Sequence, residues 1–108
     1  DAVLDYSIGL EALLTAGIRD ELRYRFALRG STIINWAGGD KQSAFGRLQE
    51  FYDIRSALVH GGQVDEVKLS HAHRTGEEAL RQIWWWFFDR NESTLEEALL
   101  AVENEILS

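Results

Sequence analysis

The stretch SAFGRLQEFYDIRSALVHGG, residues 43–62, decides the fold because it predicts a long helix with a charged residue on its apolar side. Arg55 falls near the centre of that side, and His60 closes the helix before Gly61 and Gly62 end it. An unpaired guanidinium is costly to bury, so Arg55 must be paired, line a cleft or lie at a subunit contact. At about 100° per residue, the apolar half of the helix consists of Phe45, Leu48, Phe51, Tyr52, Ile54, Leu58 and Val59.

A first helix is predicted at residues 2–14, with an acid among its apolar side chains. On the helical wheel Glu11 lies between Leu14 and Leu4, so its carboxylate is expected inside the buried arc. A short turn around Gly17 follows at residues 15–19. The inward stripe of this helix consists of Val3, Tyr6, Leu10, Leu13 and Leu14, widened by Leu4 and Ile8.

A second helix is predicted at residues 20–36, and it carries a base on its inward side. Arg29 lies within the apolar arc, and Arg25 lies one turn earlier at the edge of that arc. The inward residues are Leu22, Phe26, Ile33 and Trp36. The expected boundaries are Asp20 as N-cap, Gly38 and Gly39 at the end, and Asp40 as the N-cap of the third helix.

Residues 63–73 are predicted to form a connection between the third and fourth helices. A short extended segment can form there, because Val64, Val67 and Leu69 alternate with other residues. Thr-Gly-Glu-Glu at residues 75–78 fits a capping box, which places the start of the fourth helix at that point.

Five consecutive large aromatic residues, at positions 84–88, follow in the fourth helix. Because they cover every side, this helix is expected at the centre of the bundle or at a subunit interface. A second capping box at residues 93–96, with Ser93 as its first residue, opens a last helix that runs to residue 107.

The composition favours one all-α domain over residues 1–108, a compact bundle of about five helices. Proline is absent, which suits long helices, and 12 aromatic residues supply bulk for a core. The chain has no cysteine, which excludes disulfides and thiolate chemistry. No signal peptide or membrane-spanning run is visible, so we expect a soluble, cytoplasmic domain. It begins at Asp1 without Met, inside a helical pattern, which favours a fragment of a longer chain.

The net charge of −7 argues against general binding of nucleic acids, and no DNA partner is expected. The charge is unevenly distributed, however. Residues 1–62 hold seven basic and eight acidic residues, whereas residues 63–108 hold four basic and ten acidic ones. The half of the chain that contains Arg55 and His60 is therefore almost neutral.

Glu11, Arg29 and Arg55 break the apolar pattern, one on each of the first three helices. One interpretation is a structural ion network that fixes how these helices pack. The other is that Arg55 binds a phosphate at the mouth of a cleft and is held in place by Glu11, a task that suits the forked guanidinium.

His60 also has two interpretations. It can be a histidine that caps the helix C-terminus, or it can be a general acid–base. It lies about 140° around the helix from Arg55, too far for a catalytic pair within one small site. Two copies of the helix that meet across a two-fold axis could bring the two residues together.

Other chemical motifs are weak. His71 and His73 share a face only in an extended segment, and with no third ligand they predict exposed loop histidines rather than a metal site. The tryptophan run resembles a base-stacking platform, but on a helix it is more typical of a core. Phosphate-binding loops, dinucleotide fingerprints, serine elbows and paired catalytic carboxylates are absent, so no cofactor or metal is predicted.

Three segments together resemble a known family. Residues 51–61, FYDIRSALVHG, are similar to the "LYDIRS-x-x-VHG" segment of Apea-like HEPN domains and contain its R-x4-H motif. Residues 10–14, LEALL, resemble the opening of that family, and residues 21–29, ELRYRFALR, resemble its second helix. They occur in the family's order and span residues 10–62.

The resemblance implies a helical bundle that pairs as a symmetric dimer, with two R-x4-H motifs facing each other. Active members are metal-independent endoribonucleases of toxin–antitoxin and defence systems. By this resemblance Arg55 and His60 are the catalytic residues: His60 is the general acid or base, and Arg55 neutralises the scissile phosphate. Supporting or phosphate-binding roles fall to Ser56, Arg29, Glu11, Tyr52 and Arg25.

The implied partners are an RNA substrate, a second copy of the chain, and an antitoxin or neighbouring domain. Ser56 stands where active members often carry Asn, Asp or His, and many members of the superfamily are inert. A catalytically inert module for dimerisation, RNA binding or nucleotide binding is therefore the alternative.

Overall fold

The structure is a computed structural model that describes residues 1–16, 18, 20–89 and 94–107. The predicted all-α bundle is confirmed, because these residues form five helices and no strand. Gly17, at the centre of the predicted first turn, and Ser93, in the second capping box, lie outside the described residues. The helices are α1 Ala2–Leu14, α2 Leu22–Trp36, α3 Lys41–Val59, α4 Glu66–Asp89 and α5 Leu95–Leu107. Over the described part of the chain, none of them is long and apolar enough to cross a membrane.

The central helix of the bundle is α2, which packs against each of the other four helices. Most of its length is buried, and small side chains let the neighbouring helices approach closely. Beside it, the rings of Phe26 and Phe51 stack with centroids 6.1 Å apart. The buried residues of α2 are Phe26, Ala27, Arg29, Gly30, Ser31, Thr32, Ile33 and Ile34.

The aromatic run of α4 does not occupy the centre, so that prediction is wrong. Trp84, Trp85 and Phe88 are 56%, 63% and 71% exposed. Five consecutive residues point all around a helix, and the packing of α4 against α1, α2 and α3 leaves these three side chains largely exposed. The subunit-interface alternative stays a prediction.

Two residues assigned to inward faces are exposed. Ile8 is 67% exposed, and Ser7 is buried in α1 instead, where its hydroxyl donates to the Leu4 carbonyl at 2.7 Å. Trp36 is 37% exposed at the end of α2, where its ring stacks on Trp86. A polar residue can replace an apolar one in a core when its hydroxyl bonds to the preceding helical turn.

The predicted cap of α2 at Asp20 is wrong. The N-cap is Glu21, whose backbone has the left-handed φ of 55° and whose side chain makes no capping hydrogen bond. The helix begins because the Glu21 carbonyl accepts from the Arg25 N–H at 2.9 Å. Left-handed backbone is unfavourable for a residue with a Cβ, so local preference does not favour this helix start.

The prediction of a connection at residues 63–73 is wrong from Glu66 onward, because those residues belong to α4. The carboxylate of Asp65 accepts from the Val67 N–H at 2.7 Å and starts α4 at Glu66. Thr75 therefore lies inside the helix rather than at its cap. Gly76 also lies inside α4. A glycine is needed there because a Cβ would lie 2.6 Å from the ring of Phe51 on α3.

The start of α5 is close to its predicted position. The Thr94 hydroxyl accepts from the Glu97 N–H at 3.1 Å and so caps the helix. The sequence Thr94 to Glu97 has the same spacing as the predicted box, displaced by one residue.

Candidate functional site

The two ends of α3 fix where its functional residues lie. At the start, the Asp40 carboxylate accepts from the Ser43 N–H at 2.8 Å, as predicted. At the other end, the N–H groups of Gly61 and Gly62 donate to the carbonyls of Leu58 and Ala57, and Gly61 has a φ of +75°. This is the Schellman arrangement, which ends a helix abruptly.

The Schellman arrangement makes His60 the C-cap residue of α3. Its backbone N–H donates to the Ser56 carbonyl at 3.1 Å, while its side chain is exposed. The backbone of His60 is therefore fixed while its imidazole can meet a ligand or a second protein. Ser56 is half-buried one turn before it.

The predicted pairing of Arg55 with Glu11 is present, and it joins α3 to α1. The Arg55 Nε lies 3.0 Å from one Glu11 carboxylate oxygen, and Nη2 lies 3.3 Å from the other. The two side chains are 27% and 26% exposed. The pair uses the Nε and Nη2 edge of the guanidinium. The Nη1 group makes no hydrogen bond with a described residue and can donate to a further acceptor.

The aromatic ring of Tyr52 packs against the Arg55 guanidinium. The Arg55 Cζ lies 5.4 Å from the centre of the Tyr52 ring, within the range of a cation–π contact. The Tyr52 ring in turn lies 5.4 Å from the Phe26 ring of the core. Arg55 is thus oriented by a carboxylate of α1 and by an aromatic ring of its own helix that packs against α2.

Arg29 does not join Glu11 and Arg55, so the predicted three-residue network is wrong. Its Nε lies 2.6 Å from Glu103 on α5, and its Nη1 donates to the Leu14 carbonyl at 2.7 Å. Its side chain is only 9% exposed. Arg29 therefore links α2 to α5 and to the end of α1, away from the Arg55 pair.

Arg25 and the two later histidines are not brought to the Arg55 pair by any observed contact. Arg25 is half-buried on α2, with no ion pair to a described residue. His71 and His73 are exposed on α4 rather than in a loop, and two residues apart on a helix they point to opposite sides. His73 lies 3.9 Å from Glu77 and packs edge-on against Tyr6.

The described residues contain no group of three or more acidic or histidine side chains that could hold a metal ion. Near the end of α3 the described residues present an oriented guanidinium at Arg55 and an exposed imidazole at His60. These two groups belong to different sides of one helix, so a single protomer does not converge them on one substrate atom.

Sequence reasoning missed Glu103 as the partner of Arg29, and it missed the whole Arg23–Asp53 pair. Glu103 could have been found, since it follows Leu99 by four residues and precedes Ile106 by three, which places it on the apolar face of α5. Arg23 and Asp53 form a bidentate pair at 2.7 and 2.9 Å between α2 and α3. Hydrogen bonding to Asp53 raises the pKa of Arg23, and no local spacing signals a pair 30 residues apart.

The chain matches no protein-family model, no curated protein and no solved structure. The resemblance of residues 10–62 to HEPN domains therefore stays a prediction.

Proposed function

We propose that this chain is a homodimeric, metal-independent endoribonuclease of the HEPN type, with Arg55 and His60 at a cleft shared by two copies. The observation that carries the proposal is the combination of contacts and exposure at the Arg55 guanidinium. Its guanidinium is oriented by Glu11 and Tyr52, yet it is about a quarter exposed and keeps one edge for a second anion. A phosphate that approached this edge would meet donors already held in place.

The dimer follows from the position of His60. Five residues after Arg55, it lies about 140° around the helix and about 7.5 Å along the axis. A two-fold axis beside the end of α3 would place the His60 of each copy next to the Arg55 of the other. The shared cleft would then hold the guanidinium and the imidazole of both copies.

The proposed reaction is cleavage of RNA through its own 2′-hydroxyl. The 2′-oxygen attacks the phosphorus, the bond from phosphorus to the 5′-oxygen breaks, and a 2′,3′-cyclic phosphate remains. One His60 takes the proton of the 2′-hydroxyl, and the His60 of the second copy protonates the leaving 5′-oxygen. Arg55 stabilises the charge that develops on the phosphate. The biological setting of the proposal is a toxin or defence system, with an antitoxin or a neighbouring domain as regulator.

The test is cleavage of mixed RNA by the purified protein in EDTA. Wild type should cleave RNA and leave DNA of the same sequence intact, because DNA lacks the attacking hydroxyl. His60→Ala should lose about 100-fold or more of the rate, as expected for a general acid–base. His71→Ala is the matched control, since it removes an exposed histidine from α4 and should not change the rate. Equal cleavage by wild type and His60→Ala, or none by either protein on varied RNAs, would remove the catalytic proposal.

A second candidate function, a non-catalytic module that self-associates, is favoured by one surface. An apolar groove of about 560 Å³ lies between α1 and α4 and is lined by Leu13, Leu80, Trp84 and Trp85. Phe88 extends it, with its ring 6.0 Å from that of Trp85. The three exposed aromatic residues offer roughly 400 Å², about half of what one partner of a stable interface buries.

The occupant that we propose for this groove is a second copy of the chain. Copies with a net charge of −7 repel each other, so they need a contact surface without net charge. Glu77 and Arg81 line the groove as one acid and one base, 3.0 Å apart. In a two-fold contact each of them would also face its opposite on the other copy.

Sedimentation equilibrium distinguishes the two dimers. If the aromatic groove forms the dimer, Trp84→Ser with Phe88→Ser should give monomers, whereas His60→Asp at the end of α3 should leave the dimer intact. The ribonuclease proposal predicts the reverse result. A wild-type protein that stays monomeric at about 100 µM would exclude both interfaces as stable dimers.

A further inference from the structure

A second groove lies between α3 and α4, and the proposed function does not use it. It has a volume of about 340 Å³, within the range of small-molecule sites. Phe51, Ile54 and Ala72 form its apolar floor, and Arg47 and Lys68 line it from opposite helices. The groove thus combines an apolar floor with positive charge supplied by two helices.

Arg47 and Lys68 of this groove form no ion pair with a described residue, unlike four other arginines of the protein. Arg23, Arg29, Arg55 and Arg81 all form ion pairs with carboxylates. In contrast, Arg47, Lys68 and the nearby His71 have no carboxylate oxygen within 4.0 Å among the described residues. The Asp53 carboxylate that also lines the groove is already held by Arg23.

We propose that the α3–α4 groove binds a small phosphate monoester with an apolar body. Two permanent positive charges from Arg47 and Lys68 match the near-dianionic phosphate of such a compound better than a singly charged carboxylate. The guanidinium fork of Arg47 can hold two phosphate oxygens, and His71 adds a nitrogen donor. The apolar body of the ligand packs over Ile54 and the exposed Val67 side chain.

Glu50 limits the kind of ligand. It lines the same groove and forms no ion pair with a described residue. Its carboxylate accepts hydrogen bonds from hydroxyl or amino groups and repels further negative charge. This selects a small monoester rather than a polyanion such as a nucleic-acid strand. The binding does not depend on Arg55, His60 or RNA cleavage.

Calorimetric titration tests the proposal with three probes. Phenyl phosphate carries both the charge and the apolar body, inorganic phosphate lacks the body, and phenol lacks the charge. Phenyl phosphate should bind at least about tenfold more tightly than the other two, which corresponds to about 1.4 kcal/mol. Uridine 5′-monophosphate is a fourth probe. Tighter binding of this nucleotide than of phenyl phosphate identifies the ligand as a nucleotide. Tighter binding of phenyl phosphate identifies it as a monoester without a nucleoside.

Matched variants locate the site. Arg47→Gln and Lys68→Gln should each weaken phenyl phosphate binding about tenfold, the loss of one charge-assisted hydrogen bond. Arg74→Gln removes the same charge from an exposed residue of α4 that does not line the groove, and binding should stay within about twofold. The proposal is overturned if phenyl phosphate does not bind at about 10 mM, if phenol binds equally well, or if all three variants weaken binding equally.

Discussion

Replacement of Arg29 by methionine removes the charge that joins three helices and keeps most of the side-chain volume. In the wild type the guanidinium binds Glu103 of α5 at 2.6 Å and the carbonyl of Leu14, the last residue of α1, at 2.7 Å. The variant keeps an apolar stem in the same place. Any loss of stability therefore reports the two hydrogen bonds rather than a cavity.

The magnitude follows from burial. A hydrogen bond to a charged group contributes about 1.5–3 kcal/mol, and a buried carbonyl left without a donor costs about 1–3 kcal/mol. Glu103 is 26% exposed, so water can partly solvate its carboxylate once Arg29 is gone, which favours the lower ends of both ranges. We expect Arg29→Met to lower the free energy of unfolding by about 3 kcal/mol. For a chain of 108 residues this equals a fall in Tm of roughly 13 °C.

The assay is urea denaturation followed by circular dichroism, with Arg29→Met, Glu103→Leu and the double variant. Each single change should destabilise, and the double variant should lose less than the sum, because it leaves no unpaired charge. A loss below about 1 kcal/mol for Arg29→Met, or strict additivity of the two changes, would refute the role given to this pair.

Three further substitutions test the fold and the site. Gly76→Ala should lower the free energy of unfolding by about 1–2 kcal/mol, because its Cβ would meet Phe51, whereas Gly46→Ala in open space on α3 should raise it by roughly 0.5–1 kcal/mol; equal effects in urea denaturation would contradict the close approach. Asp65→Ala should lower the free energy of unfolding by about 1 kcal/mol, because Asp65 caps α4. If Asp65→Ala has no effect and Thr75→Ala is destabilising instead, the helix begins at the later, predicted position. Arg55→Ala should cost only about 1–2 kcal/mol, less than Arg29→Met, because the Glu11 pair is partly exposed; a larger loss in the same melts would assign Arg55 a mainly structural role.

The sequence predicted the parts of the fold that depend on local chemistry. The bounds of α1 and α3, the cap at Asp40 and the glycine stop after His60 agree with the structure. These features follow from side-chain period, from a side chain that bonds to the next turn and from a left-handed glycine, all encoded within a few residues. The Arg55–Glu11 pair was predictable as well, because each residue lies in an apolar arc and needs a partner of opposite charge.

Errors arose where tertiary packing decided between local alternatives. Thr75 to Glu78 has the letters of a capping box, but Asp65 caps the helix ten residues earlier and Gly76 lies at the contact of α4 with Phe51. The aromatic run at 84–88 has no period from which its buried side could be inferred. Which partner Arg29 takes was also undetermined, since both Glu11 and Glu103 lie on apolar faces of helices.

Arg29 and Arg55 look equivalent in the sequence, and the difference between them in the structure separates architecture from chemistry. Arg29 is almost enclosed, and its two bonds tie together the helices that surround it, so an incoming phosphate would have to displace structural contacts. Arg55 binds Glu11 with one edge of its guanidinium and leaves the other edge open. Its side chain is three times as exposed as that of Arg29. A group that is to stabilise a transition state must be both held and reachable, and of these two arginines only Arg55 meets both conditions. The His60 of the same chain lies about 140° around the helix from it, which is why the catalytic proposal depends on a second copy.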